Sequence, residues 1–300
     1  MLKRALVLAG GGSKGSFEIG VMKYLLEDNK NQYDIITGIS VGALNASLFS
    51  QFPIGKESEA LLALETIWDN IEESTVYVNH KPFGKLQALW KPSVYDSSPL
   101  RKFLIKNLDP KKVKSSGREL RISACSLVTG TVKTWTEQDE SDIIDAVLAS
   151  ASFPVMLCPI EINGDLFTDA GVKEIAPLNS AIKAGADIID VIITSPIESQ
   201  IWKQNNKRKP NTIKVLMRCI ELMTDEILVN DLVRIDNINK QIKEGTANSK
   251  YRNIEINLYQ PDKVLIDNCL KFDRKTMSEM KTLGYKAGKT YDNNAASKNK

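Results

Sequence analysis

Twice within the first fifty residues, a short apolar run breaks into glycine and then into a helical pattern. ALVLA (Ala5–Ala9) runs into GGGSKG, and YDIIT (Tyr33–Thr37) runs into GISVG. A continuous apolar run of this length, bounded by glycine, suits a strand buried on both faces. Residues 17–28 set Phe17, Val21, Tyr24 and Leu25 on one helical side, and 41–52 set Leu44, Leu48 and Phe52 in register. Strand, glycine turn and helix, repeated, is the grammar of parallel pairing. The pattern predicts a three-layer α/β/α fold with a largely parallel central sheet.

The rest of the chain extends this reading. Helices are expected over 57–71 and 140–151, and two strands within 120–136 joined at Thr129-Gly130. Asn163-Gly164, between 157–162 and 166–168, is a strong hairpin signal. A buried strand follows at 188–194, then a long helix over 212–244, a strand near 251–259 and a last helix over 274–288. The poorly periodic span 72–99 reads as an irregular connection. We therefore expect a core over 1–194, a mainly helical part over 195–290 packed on the same domain, and a polar tail, 291–300, without fixed structure.

Charge narrows the function classes. Forty basic residues face 37 acidic ones, a net +3, which argues against a dedicated nucleic-acid binder. The basic runs KQNNKRK (203–209) and KKVK (111–114) read as solvated loops, with weak attraction to anionic membrane surfaces as the second reading. Cys125, Cys158, Cys219 and Cys269 show no C-x-x-C spacing, so buried reduced thiols in a cytoplasmic protein are expected rather than a zinc site. The apolar stretch Ala5–Ala9 is too short for a signal-peptide core, and no stretch reaches transmembrane length.

Gly10, Gly12 and Gly15 fit the G-x-G-x-x-G spacing of a dinucleotide turn. That fingerprint also needs an acid at the end of the second strand. Here the strand ends at Thr37 and continues Gly38-Ile39-Ser40-Val41-Gly42, without a carboxylate. A phosphate-binding P-loop fails too, because Lys14 precedes Gly15. What stands at the strand end is G-x-S-x-G, entered from a strand and leaving into a helix, the setting of a nucleophile elbow. The bland alternative is a serine that caps the helix.

A serine nucleophile needs a base. The single histidine, His80, lies in the irregular segment and no histidine follows it, so the usual Ser–acid–His order cannot be met. A carboxylate is then the expected proton acceptor. Asp169, in LFTDAGV, follows the hairpin at the mouth of a tight turn, where burial would raise its pKa above about 3.9. Its alternative role is an Asx turn within its own loop. Asp165 and Asp190 are less well placed.

Together, GGGSKG at 10–15, GISVGALNA at 38–46 and DAG at 169–171 resemble the three signatures of the patatin-like phospholipases, in the family's order. Residues 149–187 resemble the family's stretch around its catalytic aspartate. The resemblance implies acyl ester hydrolysis of a lipid or phospholipid by a serine–aspartate dyad, without cofactor or metal. Ser40 would be the nucleophile and Asp169 the base. Gly10, Gly11, Gly12 and Gly15 would form the oxyanion loop. Lys14, at the loop's basic position, would add positive potential or point to solvent. Transient membrane-surface contact is implied as well. One departure is Ala170, where the family carries glycine; a positive φ there would strain alanine. The acyl chain needs an apolar channel. The irregular segment 72–99, with Phe83, Leu86, Leu89 and Trp90, is a candidate lid, and the helical stripe Val215, Ile220, Met223 and Ile227 is another candidate. Plain core is the alternative for both. Two other classes use the same features: a dinucleotide-dependent oxidoreductase, and a catalytically inactive lipid-binding module.

Overall fold

The computed structural model describes residues 2–82, 84, 90–197, 212–248 and 251–298. The first half contains β1 (Arg4–Leu8), α1 (Gly15–Lys23), β2 (Ile35–Gly38), α2 (Val41–Phe49), α3 (Glu57–Asn70), α4 (Glu73–Val76), β3 (Val78–Asn79), β4 (Tyr95–Asp96), α5 (Ser98–Asn107) and α6 (Pro110–Ser115). Next come β5 (Glu119–Ser126), β6 (Val132–Thr136), α7 (Ile143–Ala151), β7 (Ile160–Ile162), β8 (Asp165–Asp169), α8 (Leu178–Lys183) and β9 (Ile188–Ile192). The chain closes with α9 (Thr212–Lys243), β10 (Glu255–Tyr259) and α10 (Arg274–Lys298).

The main sheet runs β10-β9-β1-β2-β5-β8-β7, with β6 on the other edge of β5. Strands β10, β9, β1, β2 and β5 are parallel, whereas β6, β7 and β8 join antiparallel. The fold is therefore α/β with a mostly parallel sheet between helices, as the strand–turn–helix repeat predicts. Strand β1 shows why its sequence is apolar throughout. Leu6 and Leu8 enter the core shared with Phe17, Leu48 and Trp68, while Ala5 and Val7 enter the opposite core with Leu178, Ala181 and Leu228. Alternate side chains meet opposite helical layers.

The C-terminal part contributes to the same sheet, because β10 pairs with β9 from Glu255↔Ile188 to Tyr259↔Ile192. Helix α10 lies along α1, with Tyr285 edge-on to Tyr24 and its hydroxyl donating to Asp28 at 2.8 Å. Of the tail expected to lack fixed structure, residues 291–298 instead continue α10, and residues 299 and 300 lie outside the described residues.

Two other readings need correction. Residues 111–114 are not a loop: they lie in α6, with Val113 buried and the Asp109 carboxylate capping the Lys111 N–H. Capping by Asp109 and proline at the first helical position outweigh the charge run. The other basic run, 203–209, lies outside the described residues. Of the cysteines only Cys125 is buried; Cys158 and Cys269 are half-buried and Cys219 is exposed. Among the described residues, no helix is long and apolar enough to cross a membrane.

Candidate active site

Strand β5 acts as a ruler for the site. On one edge it pairs first with β2, Gly38 opposite Ile122, and then with β8, Asp169 opposite Ala124. Its other edge belongs to β6. Strand β8 thus arrives end-on above β2, two residues (about 7 Å) further along β5. Ser40, two residues past Gly38, leaves the sheet where Asp169 comes in.

Ser40 sits at φ 58°, ψ −126°, a backbone conformation that costs a non-glycine residue about 1–3 kcal/mol. The turn is possible because Gly42 follows: a Cβ there would lie 2.3 Å from Leu8 O. Ser40 occupies the N-cap position of α2, yet its side chain makes no capping bond. The capping role is absent; the hydroxyl and the Asp169 carboxylate line the same cavity, where the hydroxyl draws the carboxyl pKa down.

Helix α7 anchors both residues. The Ser40 N–H donates to Ser150 Oγ at 3.0 Å, and the Asp169 N–H donates to Ser152 O at 3.0 Å. Ser150 and Ser152 were not singled out in the sequence; their only signal was the small-residue run ASAS ending a helix. Asp169 also accepts from the Gly171 N–H at 2.8 Å, so the Asx-turn role is real and fixes the carboxylate facing Ser40. Burial drives its pKa up from 3.8 to about 6, against the opposing pull of the Gly171 N–H and the Ser40 hydroxyl. Ala170 begins a 3₁₀ turn and is not among the residues with positive φ, so it carries no strain there.

The glycine loop packs against the elbow: a Cβ at Gly10 would lie 3.2 Å from Ser40 Cβ. Thr194 Oγ1 donates to Gly10 O at 2.6 Å, and the Gly10 N–H donates to Ile175 O at 3.2 Å. The Ser13 N–H donates to Cys269 O at 2.8 Å. Among the described residues, the N–H groups of Gly11 and Gly12 donate to no acceptor. Gly12 is at φ 56°, and a Cβ there would lie 2.3 Å from Cys269 O. Lys14 does not point to solvent. It is 8% exposed, and its Nζ donates to Ser195 Oγ at 2.8 Å.

Gly10, Gly11, Gly12, Lys14, Ser40 and Asp169 line one cavity of about 130 Å³. Gly15 does not line it; it opens α1 behind the loop, against Val41 and Trp68. Behind the loop lies a buried acid, Glu18, which accepts from Asn45 Nδ2 at 2.8 Å while Trp68 Nε1 donates to Asn45 Oδ1 at 2.8 Å. Burial raises the Glu18 pKa well above its ordinary value. This network joins α1, α2 and α3 under the site, and no motif announced it.

The apolar wall differs from the expected channel. It comes from Trp68, Ile71, Leu100, Phe153, Leu270 and Phe272, among others. Phe83, Leu86 and Leu89 lie outside the described residues. On α9, Val215 and Met223 are exposed, and among the side chains described there none lines the cavity. His80 is also elsewhere, 3.3 Å from Ser93 Oγ. Asp165 accepts from Ser126 Oγ, and Asp190 is buried against Arg4 and Tyr33.

A relative in Escherichia coli (strain K12), "Uncharacterized protein YjjU", is 24% identical over 212 residues, covering 68% of this chain and 55% of its own. The chain thus spans about half the length of that curated relative. Among solved structures, "Crystal structure of VipD from Legionella pneumophila" matches with 12% identity and a TM-score of 0.43, over 97% of this chain and 66% of that one. The family model for patatin-like phospholipase matches residues 6–182, which takes in the glycine loop, the elbow and Asp169. With more than half of its length in that match, the chain belongs to the patatin-like phospholipase family.

Proposed function

We propose that the protein is a lipid acyl hydrolase acting through Ser40 and Asp169. The observation that carries this reading is one cavity lined by an uncapped, strained serine, a buried carboxylate with raised pKa, and two unpaired glycine amides. Asp169 takes the Ser40 proton as Oγ attacks the ester carbonyl. The Gly11 and Gly12 N–H groups stabilise the resulting oxyanion. Collapse expels the alcohol, which leaves with the proton from Asp169. Water then attacks the acyl-enzyme with Asp169 again as base, releasing the fatty acid. We include residues 195–290 in the catalytic unit, supported by the β9–β10 pairing and by Leu270 and Phe272 in the cavity wall.

Transient contact with a lipid surface belongs to the same proposal. Its support is the β5–β6 turn, which projects past the carboxyl end of β2 and exposes Leu127 and Val128 beside Leu166. The direct test is fatty-acid release from phosphatidylcholine and lysophosphatidylcholine vesicles. The proposal expects release from at least one, with the position of cleavage naming the subtype. Absence of release from both, and from a soluble butanoate ester, would leave a lipid-binding module.

Two further outcomes follow. Because Asp169 must be ionised to accept a proton, kcat/KM should rise with pH, reach half its plateau near pH 6, and fall about tenfold per unit below that. A profile flat from pH 5 to 8 contradicts this. Gly12→Ala places a Cβ against Cys269 O at a positive φ, so the loop must move. Loss of aligned N–H donors should lower kcat by about 10²–10³, measured by steady-state ester hydrolysis.

A further inference from the structure

Part of the cavity wall comes from a segment beyond the family match, the link between β10 and α10. It is pinned to the site at two points. Cys269 O accepts from the Ser13 N–H at 2.8 Å, and Leu270 O accepts from the buried Tyr77 hydroxyl at 2.7 Å. Its own turn is closed by Asn268, whose Oδ1 accepts from the Leu270 N–H at 3.1 Å. These bonds hold the Leu270 side chain, 8% exposed, and Phe272 in the cavity with Trp68 and Leu100.

We infer that this C-terminal strap, through Leu270 and Phe272, sets the length of acyl chain the enzyme accepts. The inference rests on the acyl-hydrolase reading above. An apolar cavity of about 150 Å³ holds a six-carbon ring, so the roughly 130 Å³ here suits an acyl body of about six carbons. A longer chain has to displace the strap, which would break the Ser13 and Tyr77 bonds. Each further methylene kept out of water is worth about fourfold in affinity. Leu270→Ala removes three carbons of wall, and Leu270→Phe narrows the same space.

The test compares kcat/KM for p-nitrophenyl esters of four to sixteen carbons. The wild type should peak near six carbons. Leu270→Ala should raise the ten-to-four-carbon ratio at least tenfold, and Leu270→Phe should lower it. Ratios within twofold of wild type in both variants overturn the inference. Should the wild type cleave no ester, the melting-temperature shift produced by hexanoate and decanoate reads the same preference without turnover. A move toward decanoate in Leu270→Ala then supports the strap while the hydrolase reading fails. No move in either variant overturns the strap as well.

Discussion

Ser40→Ala should abolish fatty-acid release, with kcat lower by about four to six orders of magnitude. The hydroxyl is the attacking atom in the proposed reaction, and nothing else in the cavity replaces it: the other hydroxyls lining it, on Thr194 and Ser195, belong to the hydrogen bonds that hold Gly10 and Lys14. The same substitution should leave stability nearly unchanged. Ser40 makes no capping bond, and alanine has the same backbone preferences at φ 58°. Ser40→Gly makes the complementary point. It also removes the nucleophile, but it relieves the backbone and should stabilise the fold by about 1–3 kcal/mol. Hydrolysis assays with urea denaturation of the three proteins check both halves. Retained turnover in Ser40→Ala excludes Ser40 as nucleophile.

Asp169→Asn should cost about 10⁴ in kcat, since asparagine cannot take the Ser40 proton. The geometry survives, because the amide oxygen still accepts from the Gly171 N–H. Stability should move the other way. In the folded protein the carboxyl pKa rises from 3.8 to about 6, so the folded state holds the proton more tightly than the unfolded one. Wild-type stability therefore increases as pH falls from 6 toward 3.8, and above pH 6 the buried charge costs at most about 3 kcal/mol. Asp169→Asn carries no such charge. It should be more stable than wild type at pH 8, with the advantage shrinking on acidification through that window. Urea unfolding at pH 8 and pH 5 measures the difference. A variant less stable at pH 8, with turnover intact, would make Asp169 a structural turn residue.

The parts of the site built by local chain geometry were legible in the sequence. Strand, glycine and helix around Ser40 are neighbours in the chain, so spacing alone carries the elbow. The Asn163-Gly164 hairpin delivers Asp169 for the same reason. Ala170 was uncertain because its φ depends on which turn follows the strand, and the 3₁₀ turn suits alanine. The strap was not legible. Leu270 is separated from Ser40 by 230 residues, and LIDNCLKF has neither helical nor strand periodicity to mark it as a wall. Long-range hydrogen bonds from Ser13 and Tyr77 decide its position. The apolar stripe of α9 misled in the opposite sense. Periodicity reports that a helix has an apolar side, not what that side covers, and Val215 and Met223 are exposed.

The central claim is that Ser40 is an activated nucleophile facing Asp169 and the glycine amides. Reaction with an alkyl fluorophosphonate, followed by mass mapping of the modified peptide, tests it most directly. Stoichiometric modification at Ser40, slowed as pH drops below 6 and lost in Ser40→Ala, is the predicted result. An unmodified wild type, or an adduct on any other residue, contradicts it.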